Sequence, residues 1–254
     1  MVGGGVALHG MLGGPGDWQG LLPESLAWQT PNLWDWWRGA GAVMSAGAHD
    51  PGVGLDLWAE QFDAACGSAT GACLLGYSLG GRLALHAWLR RPQRWRQVWI
   101  VSAHPGLEDQ NQRSERRLTD QAWTDRLLAE TPEDFLSAWD RQGALAGGTV
   151  VDVGGRLERV RQWRQQMALA LRHWSLGWQR PLWDEIALAL QEHDTELHWV
   201  TGTGDGKFTE IARQLQQRAP GVIRHQFAGA GHRVPWDQPQ DWLRILESCL
   251  TPMR

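Results

Sequence analysis

Short unbroken apolar runs recur along the chain, separated by longer stretches with helical spacing. Val6-Ala7-Leu8, Ala72-Cys73-Leu74-Leu75 and Val98-Trp99-Ile100-Val101 hold no polar position, as strands buried on both faces do. Leu26-Ala27-Trp28, Leu197-His198-Trp199-Val200 and Val222-Ile223-Arg224-His225-Gln226-Phe227 predict three more strands. Helical patterns cover 57–65, the stretch through Leu83, Leu85, Ala87 and Leu89, then 208–218 and 242–250. Pro92 stops the second of these. Residues 39–54, rich in Gly and Ala, read as loop, and Asp17 reads as an N-cap after a glycine-rich turn. Strands alternating with helices predict an α/β fold, a mostly parallel sheet with helices on both faces.

One region breaks the alternation. From about Glu108 to Glu192 the chain is rich in Arg, Gln and Leu, with helical spacing and no strong strand. It predicts a helical cap, 108–192, inserted over the C-terminal edge of a core made of 1–107 and 193–254.

Composition narrows the class. The chain has 254 residues, enough for one large α/β domain or a core plus a small cap. Apolar content of 43% with 20% charged residues fits a globular protein. The net charge of −4 gives no global attraction to nucleic acid or to an acidic membrane. No run is long and apolar enough to span a bilayer. Three cysteines without a C-x-x-C pair indicate neither a disulfide framework nor a zinc or redox motif. A cytosolic protein without a metal or cofactor is the expectation. The 18 tryptophans stand against one tyrosine. Packing is the plain reading for most; Trp34, Trp36 and Trp37 are also candidates for a pocket or an exposed patch.

The candidate chemistry lies in three fragments. Gly76-Tyr77-Ser78-Leu79-Gly80 sits between a predicted strand and a predicted helix, the setting that a G-x-S-x-G elbow needs. Asp205 follows the strand ending at Val200, and His232 follows the last strand in Gly229-Ala230-Gly231-His232. The plainer readings are a turn aspartate and a surface-loop histidine, but the order Ser…Asp…His is that of an α/β-hydrolase triad. Imidazole takes the hydroxyl proton, and a carboxylate fixes the imidazole tautomer. The backbone N–H groups of Leu79 and Met11 are placed to form an oxyanion hole.

The substrate is suggested by arginines, since Lys207 is the only lysine. Arg82 lies one turn into the helix after Ser78, beside the expected active-site floor. The insertion adds Arg113, Arg116, Arg117, Arg161, Arg164 and Arg172. Most belong on a solvated helix face; a few turned inward would clamp carboxylates, which guanidinium groups bind bidentately. A small substrate with more than one carboxylate follows.

Leu8-His9-Gly10-Met11-Leu12-Gly13, Gly76-Tyr77-Ser78-Leu79-Gly80-Gly81-Arg82, His104-Pro105-Gly106-Leu107, Glu115-Arg116, Asp205-Gly206-Lys207-Phe208 and Ala230-Gly231-His232 together resemble the 2-succinyl-6-hydroxy-2,4-cyclohexadiene-1-carboxylate synthases of menaquinone and phylloquinone biosynthesis. The resemblance implies an α/β-hydrolase fold and a lyase that removes pyruvate from a succinyl-enolpyruvyl-hydroxycyclohexene carboxylate. It implies Ser78 as a base activated by His232 and Asp205. It further implies that Arg82, Arg116 and Arg164 bind carboxylates, with Tyr77 and Trp139 at the pocket. The chain departs from the family at Pro31-Asn32-Leu33-Trp34-Asp35-Trp36-Trp37-Arg38, which replaces a D-L-P-G-H-G segment, and a sheet without the first antiparallel strands of the wider fold is the expectation. A serine hydrolase acting on an ester or a C–C bond shares the triad and is the alternative. A catalytically idle binding module would not need all three groups.

Overall fold

The computed structural model describes residues 4–39, 54–66, 71–143, 145 and 155–250. Six strands form one sheet: β1 (Gly5–Leu8), β2 (Trp28–Gln29), β3 (Gly71–Tyr77), β4 (Trp95–Val101), β5 (Glu196–Gly202) and β6 (Ile223–Phe227). Their order is β2-β1-β3-β4-β5-β6 and every pairing is parallel. The predicted 26–28 strand is displaced by two residues, because the ladder to β1 forms at Trp28 and Gln29. The loop expected over 40–53 lies outside the described residues.

Alternation along each strand feeds two cores. Leu8, Leu74, Ile100, Leu197 and Trp199 face one side of the sheet. There they meet α1 (Leu33–Gly39), α2 (Gly54–Cys66) and α3 (Leu79–Arg90). Ala7, Leu75, Tyr77, Trp99 and Val200 face the other, against Trp18 and Trp242 of α10 (Pro239–Leu250). Trp88, Trp99, Trp199 and Trp242 are fully buried. Each hides roughly 150–250 Å² and so contributes about 4–6 kcal/mol of hydrophobic stabilisation. Packing therefore accounts for much of the tryptophan excess. Trp34 and Trp37 belong to this set: both are buried, and the Trp37 ring lies 4.8 Å from that of Trp174.

Among the described residues four helices separate β4 from β5: α4 (Gln110–Ala129), α5 (Pro132–Asp140), α6 (Arg156–His173) and α7 (Trp183–Glu192). Their starts are encoded locally. The Asp109 carboxylate accepts from the Gln112 N–H at the head of α4; Thr131 does the same for Asp134, with Pro132 opening α5. Helices α4, α5 and α6 pack on one another. Helix α7 lies instead against α3 and α8 (Gly206–Arg218). The short α9 (Val234–Asp237) leads into α10. No helix among the described residues is long and apolar enough to cross a membrane.

In the strand order, β2 lies to one side of β1, while β3 and its successors lie to the other. The carboxyl ends of β1 and β3 are adjacent, with Leu8 in register with Gly76. Open α/β sheets leave a crevice at such a reversal, and the site occupies it.

Candidate active site

Ser78 stands between β3 and α3 at φ 53°, ψ −110°, a strained backbone for a residue with a Cβ. Glycines make the turn possible. A Cβ on Gly76 would strike the Gly80 carbonyl, and one on Gly80 would strike the carbonyls of Leu8 and His9. Among the described residues the other non-glycine positions with positive φ are Leu12, in the turn after β1, and Ser102, just past β4, and all three border one cavity. Strain is thus concentrated around the crevice.

His232 reaches the elbow from the loop after β6. Its Nε2 is 3.3 Å from Ser78 Oγ, and its Nδ1 is 2.7 Å from Asp205 Oδ2. Asp205 caps α8, accepting the Phe208 N–H on Oδ1 at 3.3 Å. The helix start therefore fixes the carboxylate that orients the imidazole. The loops after β5 and β6 are locked together: Gly204 N–H donates to the Ala230 carbonyl and Thr203 N–H to that of Phe227. Asp237 Oδ2 accepts the Gly231 N–H at 2.8 Å and holds the residue next to His232. Phe208 meets the His232 ring edge-on at 4.6 Å.

Met11 and Leu79 border the same cavity. Among the described residues neither backbone N–H has a protein acceptor. Leu79 begins α3, so its N–H has no partner within the helix. The strand-to-loop turn carrying Met11 is held by His9. The His9 Nδ1 bonds the Gly10 carbonyl at 2.9 Å, and Nε2 accepts the Leu33 N–H at 3.1 Å. That pair of contacts demands a neutral ring, and burial lowers the His9 pKa to about 4.

The cavity has a volume of about 430 Å³ and is bordered by six basic side chains, Arg82, Arg116, Arg156, Arg159, Lys207 and Arg233, against two carboxylates, Asp17 and Asp120. The positive charge divides into two groups. On one side Asp17 pairs with Arg159 at 3.2 Å, and Asp140 of α5 accepts from both Arg156 and Arg233 at 2.7 Å. On the other, Arg116 Nε bonds both Asp120 oxygens at 2.9 Å. Arg82, 9% exposed, donates to the neutral Oε1 of Gln179. Burial and then the facing Arg116 push its pKa down to about 9, which leaves it cationic at neutral pH. Burial and Arg116 also lower Lys207. His104 sits among these three cations; burial, then Lys207, Arg82 and Arg116, lower its pKa to about 3. Its Nδ1 accepts the Gly106 N–H at 2.9 Å, so Nε2 carries the proton.

Ser78, Asp205, His232, Met11, Leu79, Arg82, Arg116, Tyr77 and Trp139 thus gather at one place: all but Asp205 line the cavity, and Asp205 stands directly behind His232. Arg164 does not. Its Nη2 donates to the Glu130 carbonyl, and it is not among the lining residues. Helix α6 presents Arg156 and Arg159 to the cavity, and Arg164 falls outside the i, i+3, i+4 stripe that those two begin. Sequence reasoning missed Arg159, Lys207, Ser102 and His104 as lining residues. The His-Pro-Gly-Leu and Asp-Gly-Lys-Phe runs held the signal for two of them.

No protein-family model matches the chain. A curated 2-succinyl-6-hydroxy-2,4-cyclohexadiene-1-carboxylate synthase from Klebsiella pneumoniae subsp. pneumoniae is 29% identical over 247 residues, 96% of this chain and 92% of that protein. A synthase of the same name from Enterobacter sp. is 33% identical over 168 residues, with the chain spanning 61% of its length. Among solved structures, MenH from S. aureus superposes with a TM-score of 0.74 at 19% identity, covering 99% of this chain and 96% of that one. A carboxylesterase from Bacillus subtilis reaches 0.65 at 14%, covering 98% and 84%. The sheet is that of the α/β-hydrolase fold, and over nearly its whole length the chain is similar to the curated 2-succinyl-6-hydroxy-2,4-cyclohexadiene-1-carboxylate synthases.

Proposed function

We propose that the chain eliminates pyruvate from 2-succinyl-5-enolpyruvyl-6-hydroxy-3-cyclohexene-1-carboxylate. The change from a 3-ene to a 2,4-diene defines the electron flow. The C2–H pair becomes the C2=C3 bond, the ring double bond moves to C4=C5, and the C5–O bond breaks. Enolpyruvate leaves with that pair and takes up a proton to become pyruvate. The succinyl ketone on C2 acidifies the departing hydrogen, and negative charge develops on its oxygen.

Ser78 acts as the base, not as an acylating nucleophile. His232 accepts the serine proton through Nε2, and Asp205 holds the imidazole in the required tautomer. The N–H groups of Met11 and Leu79 receive the ketone oxygen as its charge grows. Arg82, Arg116 and Lys207 bind the carboxylates, while Tyr77 and Trp139 bound the ring. Helices α4, α5 and α6 supply Arg116, Trp139 and Arg159 to the cavity, which supports reading the insertion as a cap. The free thiols Cys66, Cys73 and Cys249 support a reducing, cytosolic compartment.

One observation carries this reading beyond family likeness. Six basic side chains meet two acidic ones around the cavity, in a chain of net charge −4. Charge of that sign is concentrated where a polycarboxylate would sit. The test is pyruvate release from the enolpyruvyl substrate. Stoichiometric pyruvate without a covalent Ser78 adduct is expected. No pyruvate at high enzyme concentration, together with burst release from an activated ester, would assign the triad to ester hydrolysis instead.

A further inference from the structure

Beside Trp99, two imidazoles and a thiol converge. His198 of β5, His225 of β6 and Cys249 of α10 each bring a ligand atom within 4.8 Å of the others. His198 Nδ1 and His225 Nε2 are 2.9 Å apart. Tetrahedral zinc with Zn–N of about 2.0 Å holds two nitrogens roughly 3.3 Å apart, so a small opening of this pair admits an ion. None of the three residues borders the catalytic cavity.

We propose that His198, His225 and Cys249 form a zinc site. The cluster is framed as such sites are. The Trp99 ring stacks on His198 at 4.0 Å with an interplanar angle of 1°, and on His225 at 5.0 Å and 15°. One indole thereby fixes both imidazole planes. The far nitrogen of His198, Nε2, is buried and, among the described residues, has no hydrogen-bond partner, with Glu196 Oε2 at 3.5 Å. Glu196 is held by Gln97 Nε2 at 2.7 Å, and the same amide donates to the Cys249 carbonyl at 2.8 Å. A carboxylate behind a ligating histidine, itself held by a hydrogen bond, is the outer arrangement that orients imidazole toward a metal. On binding, the Cys249 thiol gives its proton to solvent and ligates as thiolate. His225 and Cys249 are only partly buried, and β6 is the sheet's edge, so ions have a route in. Three protein ligands leave the fourth position to water. The ion would tie β5, β6 and α10 together.

The experiment is titration of the purified protein with Zn²⁺ and, separately, with Co²⁺. One equivalent of Zn²⁺ per chain is expected, with a rise in Tm, and Co²⁺ develops a thiolate-to-metal charge-transfer band. Cys249→Ser abolishes that band, and His225→Ala removes stoichiometric binding. Glu196→Gln weakens zinc about 10–100-fold. No cysteine lines the catalytic cavity, so the band separates this site from metal held by His232. Turnover of Cys249→Ser stays at the parent level and verifies its fold. Absence of stoichiometric zinc, or parent-like affinity in both Cys249→Ser and His225→Ala, overturns the proposal.

Discussion

Arg82 donates its Nη1–H to the side-chain oxygen of Gln179 at 3.2 Å, so this buried cation faces an amide and not an acid. Gln179 is itself fully buried and donates to the His104 carbonyl. A neutral partner positions the guanidinium without cancelling its charge. Arg82→Ala is expected to lower kcat/KM about 10–100-fold, the worth of a charge-assisted hydrogen bond of about 1.5–3 kcal/mol. Gln179→Glu should raise KM by supplying an internal carboxylate. Steady-state kinetics with the enolpyruvyl substrate decide; unchanged constants in both variants would remove Arg82 from the binding surface.

Ser78→Ala, Asp205→Asn and His232→Ala should each lower kcat by about 10³–10⁴-fold or more, and the double variants should lose little beyond the singles. Asp205→Asn also retains an oxygen able to cap Phe208, so its Tm stays near that of the parent. A variant turning over at a near-normal rate would show that its residue stands outside the machinery.

The triad could be read from sequence because its parts are local. An elbow is a backbone event written in adjacent glycines, and Asp205 and His232 each follow a recognisable strand. The sheet was legible for the same reason, in runs such as Val98-Trp99-Ile100-Val101. Arg164 was not, since which stripe of the cap helix turns toward the cavity, that of Arg156 and Arg159 or that of Arg164, is set by packing between helices distant in the chain. Lys207 and His104 were hidden differently: His104 meets Arg82, Arg116 and Lys207, and Lys207 meets Arg116, only once the fold brings these separate segments together. Helix α1 was missed because Pro31-Asn32 and three tryptophans mask its short apolar stripe.

Gly80→Ala should abolish a properly folded elbow. The added methyl meets two backbone carbonyls, of Leu8 and His9, that belong to a buried strand end. Overpacking of this kind costs about 1–3 kcal/mol or more. Thermal unfolding is the measurement; a parent-like Tm with full activity would mean that β1 can retreat from α3.

Stability should fall on mild acidification. His9 and His104 have folded pKa values of about 4 and about 3, below the ordinary 6.5. Between those values the unfolded chain binds protons that the folded one refuses, so stability is lost as pH drops below about 6.5. Each group removes about 1.4 kcal/mol per pH unit inside that window. Together they should lower Tm by roughly 5–10 °C per unit between about pH 6 and pH 5. A melting temperature constant over that range would show that neither ring is held neutral.

Lys207 borders the cavity, and no second lysine exists anywhere in the chain. Apart from the α-amine, an acylating or reductive-alkylating reagent therefore has one target, at the mouth of the reaction chamber. A fluorophore or an isotopic methyl group introduced there would act as a built-in reporter, registering in real time whether the chamber is empty or filled.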